Sequence, residues 1–227
     1  MFISEPLVFV KQYIENINQA LMEYDSTKSL SRIQKSWPAF CIMAIFMTRT
    51  VCQAEFERAS SGKRSMAAIS WMFRKSKIPW RWLLTYSTLV IIRRYGITHG
   101  CLVPDETDKK RSKSVKLIYK AHKIKDKAGG GFVMGQSPVF PVLVTPKITL
   151  PVRFQFFMPD PKLKEWNKPD AKLKKQGVAK KDRPPKPERG ENYPEVTEVA
   201  LRLLKQFKDN HLSVKIDCVL ADALYGT

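Results

Sequence analysis

Residues 193–222, YPEVTEVALRLLKQFKDNHLSVKIDCVLAD, read as a helix that hands over directly to a strand. Pro194 and Glu195 suit a helix start, and Val196, Val199, Leu203 and Leu204 recur on one helical face. His211–Ser213 ends that pattern, and Val214–Ala221 is apolar enough for a buried strand with Asp222 directly after it. Upstream, Ile97–Pro104 is another short apolar run, bounded by Gly96 and Pro104. Phe132–Thr145 and Ile148–Met158 are rich in Val, Phe, Leu and Ile and read as two strands of a meander around Pro146-Lys147. Pro138, Pro141 and Pro151 point to bulges or edge positions, because proline cannot donate to a ladder. Antiparallel strands followed by a helix crossing to a parallel strand predict an α/β (α+β) fold with a mixed sheet.

The first 96 residues have a different texture and predict helices. Ile14, Ile17 and Leu21 share one helical face. Ser36-Trp37-Pro38 suggests the cap and first turn of the next helix. Two more helices are expected over 65–92, broken near Ile78-Pro79. Arg49, Arg58, Lys63, Arg64, Arg74, Lys75, Lys77, Arg81, Arg93 and Arg94 lie here beside four of the five Trp. Basic residues around an aromatic core suit a small DNA-binding helical unit, and a bundle with a solvated basic face fits equally well. The reading divides the chain into a helical region, 1–96, and a sheet region, 97–227. Residues 160–190 hold many Lys and Arg, few apolar side chains and an RPPKP run, and read as a mobile basic loop.

Forty Lys+Arg against 21 Asp+Glu give a formal charge of +19, which points to a polyanionic partner. A hydrophobic share of 44% excludes a mainly disordered chain. The apolar runs Trp37–Met47 and Trp82–Ile92 are too short to span a bilayer, so they read as buried helices. Cys41, Cys52, Cys101 and Cys218 form no CxxC pair, and their apolar settings predict small buried hydrophobes in a reducing, cytoplasmic protein.

Two carboxylates stand out by position. Asp105 follows the strand 97–104 and Asp222 follows the strand 214–221. If those strands are neighbours, both side chains can converge, and two close carboxylates repel unless a divalent cation sits between them. Mg²⁺ or Mn²⁺ held this way supports phosphodiester chemistry, with surrounding cations holding the nucleic-acid backbone. A strand-end Asp is also a common turn former or helix cap, so spacing alone leaves both readings open.

Three segments resemble bacterial insertion-sequence transposases of the DDE superfamily. CLVPDETDKKRSKS (101–114) is similar to the first catalytic segment, ITLPVRFQFFMPD (148–160) to the third strand, and VLADALYGT (219–227) to the second catalytic segment. The stretch 64–84 is similar to the helical region that precedes the catalytic domain. The resemblance implies a partial RNase H-like mixed sheet and Mg²⁺- or Mn²⁺-dependent phosphoryl transfer on transposon-end and target DNA. It implies Asp105 and Asp222 as catalytic, metal-binding carboxylates. Thr107, Lys109, Lys110, Arg111, Lys113 and Tyr225 would lie near DNA, and Glu106 reads as a solvated turn residue.

The family's third carboxylate belongs to a Tyr-x2-Arg-x3-Glu-x6-Lys helix after the second Asp, a pattern these 227 residues lack. The expectation is therefore the N-terminal part of a transposase, binding DNA with little activity alone and acting as a homodimer or with a separately encoded C-terminal half, in the nucleoid-bearing cytoplasm. A non-catalytic basic nucleic-acid-binding protein is the alternative. A complete nuclease of another family would need a third carboxylate, for which Asp160 and Asp217 are the nearest candidates.

Overall fold

The computed structural model of the chain describes residues 5–111 and 118–222. It divides into two compact units, Met1–Gly96 and Ile97–Thr227. The described residues form seven α-helices and a seven-stranded mixed sheet, an α/β fold with N-terminal helices.

The helical unit holds α1 (Val8–Tyr24), α2 (Arg32–Thr48), α3 (Gln53–Ala59), α4 (Met66–Lys75) and α5 (Trp80–Tyr95). Its core joins Val10, Ile14, Ile17 and Leu21 of α1 to Phe40 and Ala44 of α2, Phe56 of α3, Ile69 of α4 and Tyr86 of α5. The start of α2 differs from expectation. Ser31, not Ser36, is the cap, in a reciprocal capping box with Gln34. A Ser-x-x-Gln pair satisfies two orphan backbone donors at once, so the helix begins a turn earlier and carries Pro38 inside it. The buried side of α2 is narrower than the sequence suggested, since Phe46 is exposed. Among the described residues no single helix is long and apolar enough to cross a membrane. The pair Arg32–Thr48 and Gln53–Ala59 meets that test only together, across a 91° bend.

The sheet unit is organised around one long strand. Its strands are β1 (His99–Glu106), β2 (Lys109–Lys110), β3 (His122–Lys125), β4 (Phe132–Val144), β5 (Thr149–Pro151), β6 (Gln155–Phe157) and β7 (Lys215–Val219). Strand β4 carries β2 and β1 along one side and β3, β6 and β5 along the other, all antiparallel. Pro138 and Pro141 therefore occupy a central strand and not an edge. Their missing N–H groups are tolerated because both carbonyls still accept bonds, from Thr107 N and Val152 N. The second meander strand splits into β5 and β6 between those bonds.

The last two helices are α6 (Pro161–Lys175) and α7 (Val196–Asn210). Helix α6 corrects the mobile-loop reading of 160–190. Asp160 caps it by accepting from Lys162 N, Pro161 sits in the first turn, and the Lys, Leu, Glu and Ala that follow are good helix formers. Low apolar content marks a largely exposed helix here, held by buried Leu163, by Trp166 Nε1 donating to Pro184 O and by the Asp170–Arg183 ion pair. Helix α7 starts after Glu195, which forms a capping box with Glu198, and packs Val199, Ala200 and Leu203 on Val139 of β4. It crosses over to β7, which lies parallel to β1, as the sequence pattern predicts. Strand β7 is not buried, however: it pairs on one side, and Val219 and Leu220 are exposed.

Candidate functional site

Strands β1 and β7 bring the two predicted carboxylates to one end of the sheet. Their parallel register pairs Cys101 with Cys218 and Leu102 with Val219, and Leu220 N donates to Leu102 O at 2.9 Å. The pairing ends at Leu102 and Val219; Asp105 stands three residues further along β1 and Asp222 three residues past the end of β7, so both lie toward the same end of the parallel pair. Side chains alternate along a strand, which gives Asp105 the same face as Cys101 and the face opposite Leu102, Val139 and helix α7. Asp105 is not beyond its strand as expected but inside it, paired with Phe140, and it is exposed, as is Asp222.

A covalent tie precedes the pair. Cys101 and Cys218 are joined by a disulfide, 117 residues apart in sequence and adjacent in register. Each half-cystine lies four residues before its carboxylate. This corrects the reading of all four cysteines as buried hydrophobes: two are bridged, Cys52 is exposed, and Cys41 is half-buried. Burial pushes the Cys41 thiol up to about 11, so it stays protonated at neutral pH.

One irregularity adjusts β7 just before the disulfide. Gly100 pairs with Ile216 and Cys101 with Cys218, leaving Asp217 as the extra residue of a bulge. Asp217 lies 2.6 Å from His99 Nδ1, and that hydrogen bond holds its carboxyl below the ordinary range. Asp160 is likewise engaged elsewhere, buried as the cap of α6 and accepting from Gly190 N and Lys162 N. Neither serves as a third carboxylate beside Asp105. Among the described residues no three His, Cys, Asp or Glu form a metal-binding group. A Mg²⁺ ion commonly takes one or two carboxylates and completes its shell with water and substrate phosphate, so two exposed Asp toward one end of adjacent strands fit such an ion in part.

The predicted DNA-contacting residues are only partly available. Thr107 and Lys109 are exposed beside Asp105. Lys110 is paired with Asp126, and Arg111 donates to Gln136 Oε1 at 2.9 Å while its N–H bonds Met134 O. Lys113 and Tyr225 lie outside the described residues. Glu106 is a half-buried strand residue opposite Val139 and not a turn residue; with Thr107, Asp108 and Lys110 it lines a cleft of about 320 Å³.

Sequence reading missed the Asp108–Ser137–His122 cluster at the same strand end. The Ser137 hydroxyl donates to Asp108 Oδ1 at 2.5 Å and lies 3.3 Å from His122 Nε2, while His122 Nδ1 lies 3.0 Å from Lys120 O. Serine sits in the middle with its proton directed at the aspartate. A nucleophilic triad needs histidine in the middle, so this is a clamp between the β1–β2 connection and β3. The only signal for it was Ser137 at a buried strand position.

In the helical unit a second cationic surface surrounds the α4–α5 connection. Arg74, Lys75, Lys77 and Arg81 are exposed there and make no ion pair among the described residues. They lie beside exposed Trp71 and the stacked pair Phe73–Trp80, 5.6 Å apart. Arg64 is used internally, over Trp37 at 4.1 Å, and Arg58 and Arg93 pair with Glu55 and Glu23. Comparison of the chain with family models, curated proteins and solved structures gives no match.

Proposed function

We propose that this chain binds DNA and carries two of the carboxylates of a metal-dependent DDE transposase, acting on transposon-end DNA. The observation that supports the reading is that adjacent parallel strands β1 and β7 carry Asp105 and Asp222 toward one end, each four residues after a cysteine of the bridged pair. Asp105 and Asp222 would hold Mg²⁺ or Mn²⁺, which when bound supplies Lewis-acid polarisation of a phosphodiester and activation of water. Thr107 and Lys109 are placed to hold the phosphate backbone beside the pair, and the Arg74–Arg81 surface supplies sequence-independent attraction. Two carboxylates hold the metal weakly, so these 227 residues bind duplex DNA with little cleavage of their own, and a homodimer or a further segment completes the donor set.

The test is Mn²⁺ titration of the full chain on a linear duplex, followed by nicking of a supercoiled plasmid. Duplex affinity is expected to fall steeply with salt, and Mn²⁺ binding in the presence of DNA to drop at least tenfold in Asp105→Asn and in Asp222→Asn. Equal Mn²⁺ binding by the native chain and both variants overturns the reading and leaves a basic nucleic-acid-binding protein. Robust nicking that depends on Asp105 overturns the expectation of low activity.

A further inference from the structure

On the α6 side of the sheet unit, α6, β6, β3, the start of β4 and the loop around residues 186–189 line an open groove of about 710 Å³. That volume falls in the range of small-ligand sites. Its walls are unlike those of the carboxylate pair. Lys164 and Lys168 of α6 line it together with Lys123, Lys186 and Arg189. The spacing of Lys164 and Lys168 is one helical turn, so α6 presents cations on the face where a packed helix would present apolar side chains. Arg189 is engaged with Glu195, but the four lysines make no ion pair among the described residues.

Two aromatic rings complete the walls. Phe157 is half-buried and anchored edge-on against His122, 6.0 Å away. Phe132, at the end of the β3–β4 hairpin, is 73% exposed, so its ring face is open to a ligand in the groove. The one acid on the lining, Asp160, is buried and satisfied by the Gly190 and Lys162 N–H groups. Those bonds, the Gly190 one first, hold its carboxyl below the usual range, and they aim its charge at the backbone.

We infer that this groove binds a nucleoside phosphate, with the base on Phe132 and Phe157 and the phosphates among Lys164, Lys168, Lys186 and Arg189. A simple anion would use the lysines and leave the rings idle, and an apolar ligand would use the rings and leave the four exposed lysines idle. A ligand with a flat π face and attached phosphates uses both walls. Base–aromatic stacking is worth about 1–3 kcal/mol per base, and unpaired lysines supply charge-assisted bonds to phosphate oxygens. The same chemistry is offered by a free nucleotide and by an unpaired nucleotide of a single strand. The site does not depend on the carboxylate pair.

The test titrates the full chain with ATP, with a ten-residue oligothymidylate and with inorganic tripolyphosphate, by calorimetry. Binding of ATP, the oligothymidylate or both is expected, weakened at least tenfold in the double variant Lys164→Ala, Lys168→Ala. Phe132→Ala should weaken it about fivefold or more, the lower end of the stacking range. ATP binding identifies a free nucleotide as the ligand source; binding of the oligothymidylate alone identifies a strand. Lys205→Ala, an equal loss of charge on exposed α7, should change nothing, and circular dichroism checks that each variant is folded. Tripolyphosphate binding as tightly as ATP, loss in Lys205→Ala equal to that in the α6 variant, or no binding of either nucleotide overturns the inference. Duplex binding that survives Phe132→Ala separates this site from the transposase reading.

Discussion

The helical unit and the sheet unit solve the problem of holding a chain together by different means. The helical unit buries a contiguous apolar cluster that links all five helices, and its cysteines, Cys41 and Cys52, are free. The sheet unit also buries apolar side chains, among them Leu102, Val139, Leu143, Val199, Leu203 and Phe207, and adds to them the ladders of β4 and the Cys101–Cys218 bond. Net charge does not distinguish them: 14 Lys and Arg against 6 Asp and Glu in residues 1–96, and 26 against 15 in 97–227. What differs is that the sheet unit adds register and a covalent constraint to its apolar core. A bundle tolerates small shifts of its helices, whereas a sheet edge is correct only in one register.

Reduction should break this comparison most widely. In the loop-entropy account a bridge across 117 residues stabilises by about 5 kcal/mol. Dithiothreitol, or Cys101→Ser with Cys218→Ser, should raise amide exchange rates throughout β1, β7 and α7 and leave α1–α5 unchanged. Equal effects in both units would remove the distinction. The converse is Phe56→Ala. Phe56 is 1% exposed in the helical core, and its truncation should cost about 3–4 kcal/mol, read by exchange in α1–α5 with little change in the sheet unit.

A pH titration sharpens the contrast. Burial, and then the nearby Arg153 cation, pull His211 down to about 4, and its Nδ1 finds no partner. The unfolded chain binds a proton on this residue near pH 6.5 and the folded chain only near 4. Stability of the sheet unit should therefore fall as pH drops through that window, by up to about 3 kcal/mol, and level off below it. His211→Leu should flatten the slope in urea midpoints measured from pH 7 to pH 4. A smaller effect is expected at Gly100, where an added Cβ would sit 2.7 Å from Val144 O; Gly100→Ala should cost about 1–3 kcal/mol. Smallest is the cap of α2, where Ser31→Ala should cost about 1 kcal/mol by thermal melting.

Periodicity made the long elements legible. The Ile14–Leu21 face of α1, the break at Ile78-Pro79 and the Val199–Leu203 face of α7 all stand where the pattern put them, and the crossover to a parallel β7 followed from element order. Short elements were hidden by composition. Lysine density masked β2, β3 and α6, because charge reports solvent exposure and exposure is compatible with any backbone conformation. The prolines of β4 misled for a related reason: a missing donor matters only where a partner acceptor is waiting, and at Pro138 and Pro141 the carbonyl carries the ladder. That β1 and β7 carry Asp105 and Asp222 toward one end was readable from element order, but Asp105 falls inside its strand, and the alignment of the two strands depends on a bulge at Asp217 that no local pattern announces. Cysteine pairing was invisible because it is a property of two strands at once.

That sulfur bridge has a geometric consequence beyond stability. Strand β7 is five residues long, has one neighbour, and already contains a one-residue irregularity, so sliding along β1 is its natural failure. A slip of a single residue would turn every side chain of β7 to the opposite side of the sheet. A bond between two fixed sulfurs exists in one alignment only. It acts as an indexing pin, deciding which side of the sheet the following side chains face before any ligand arrives.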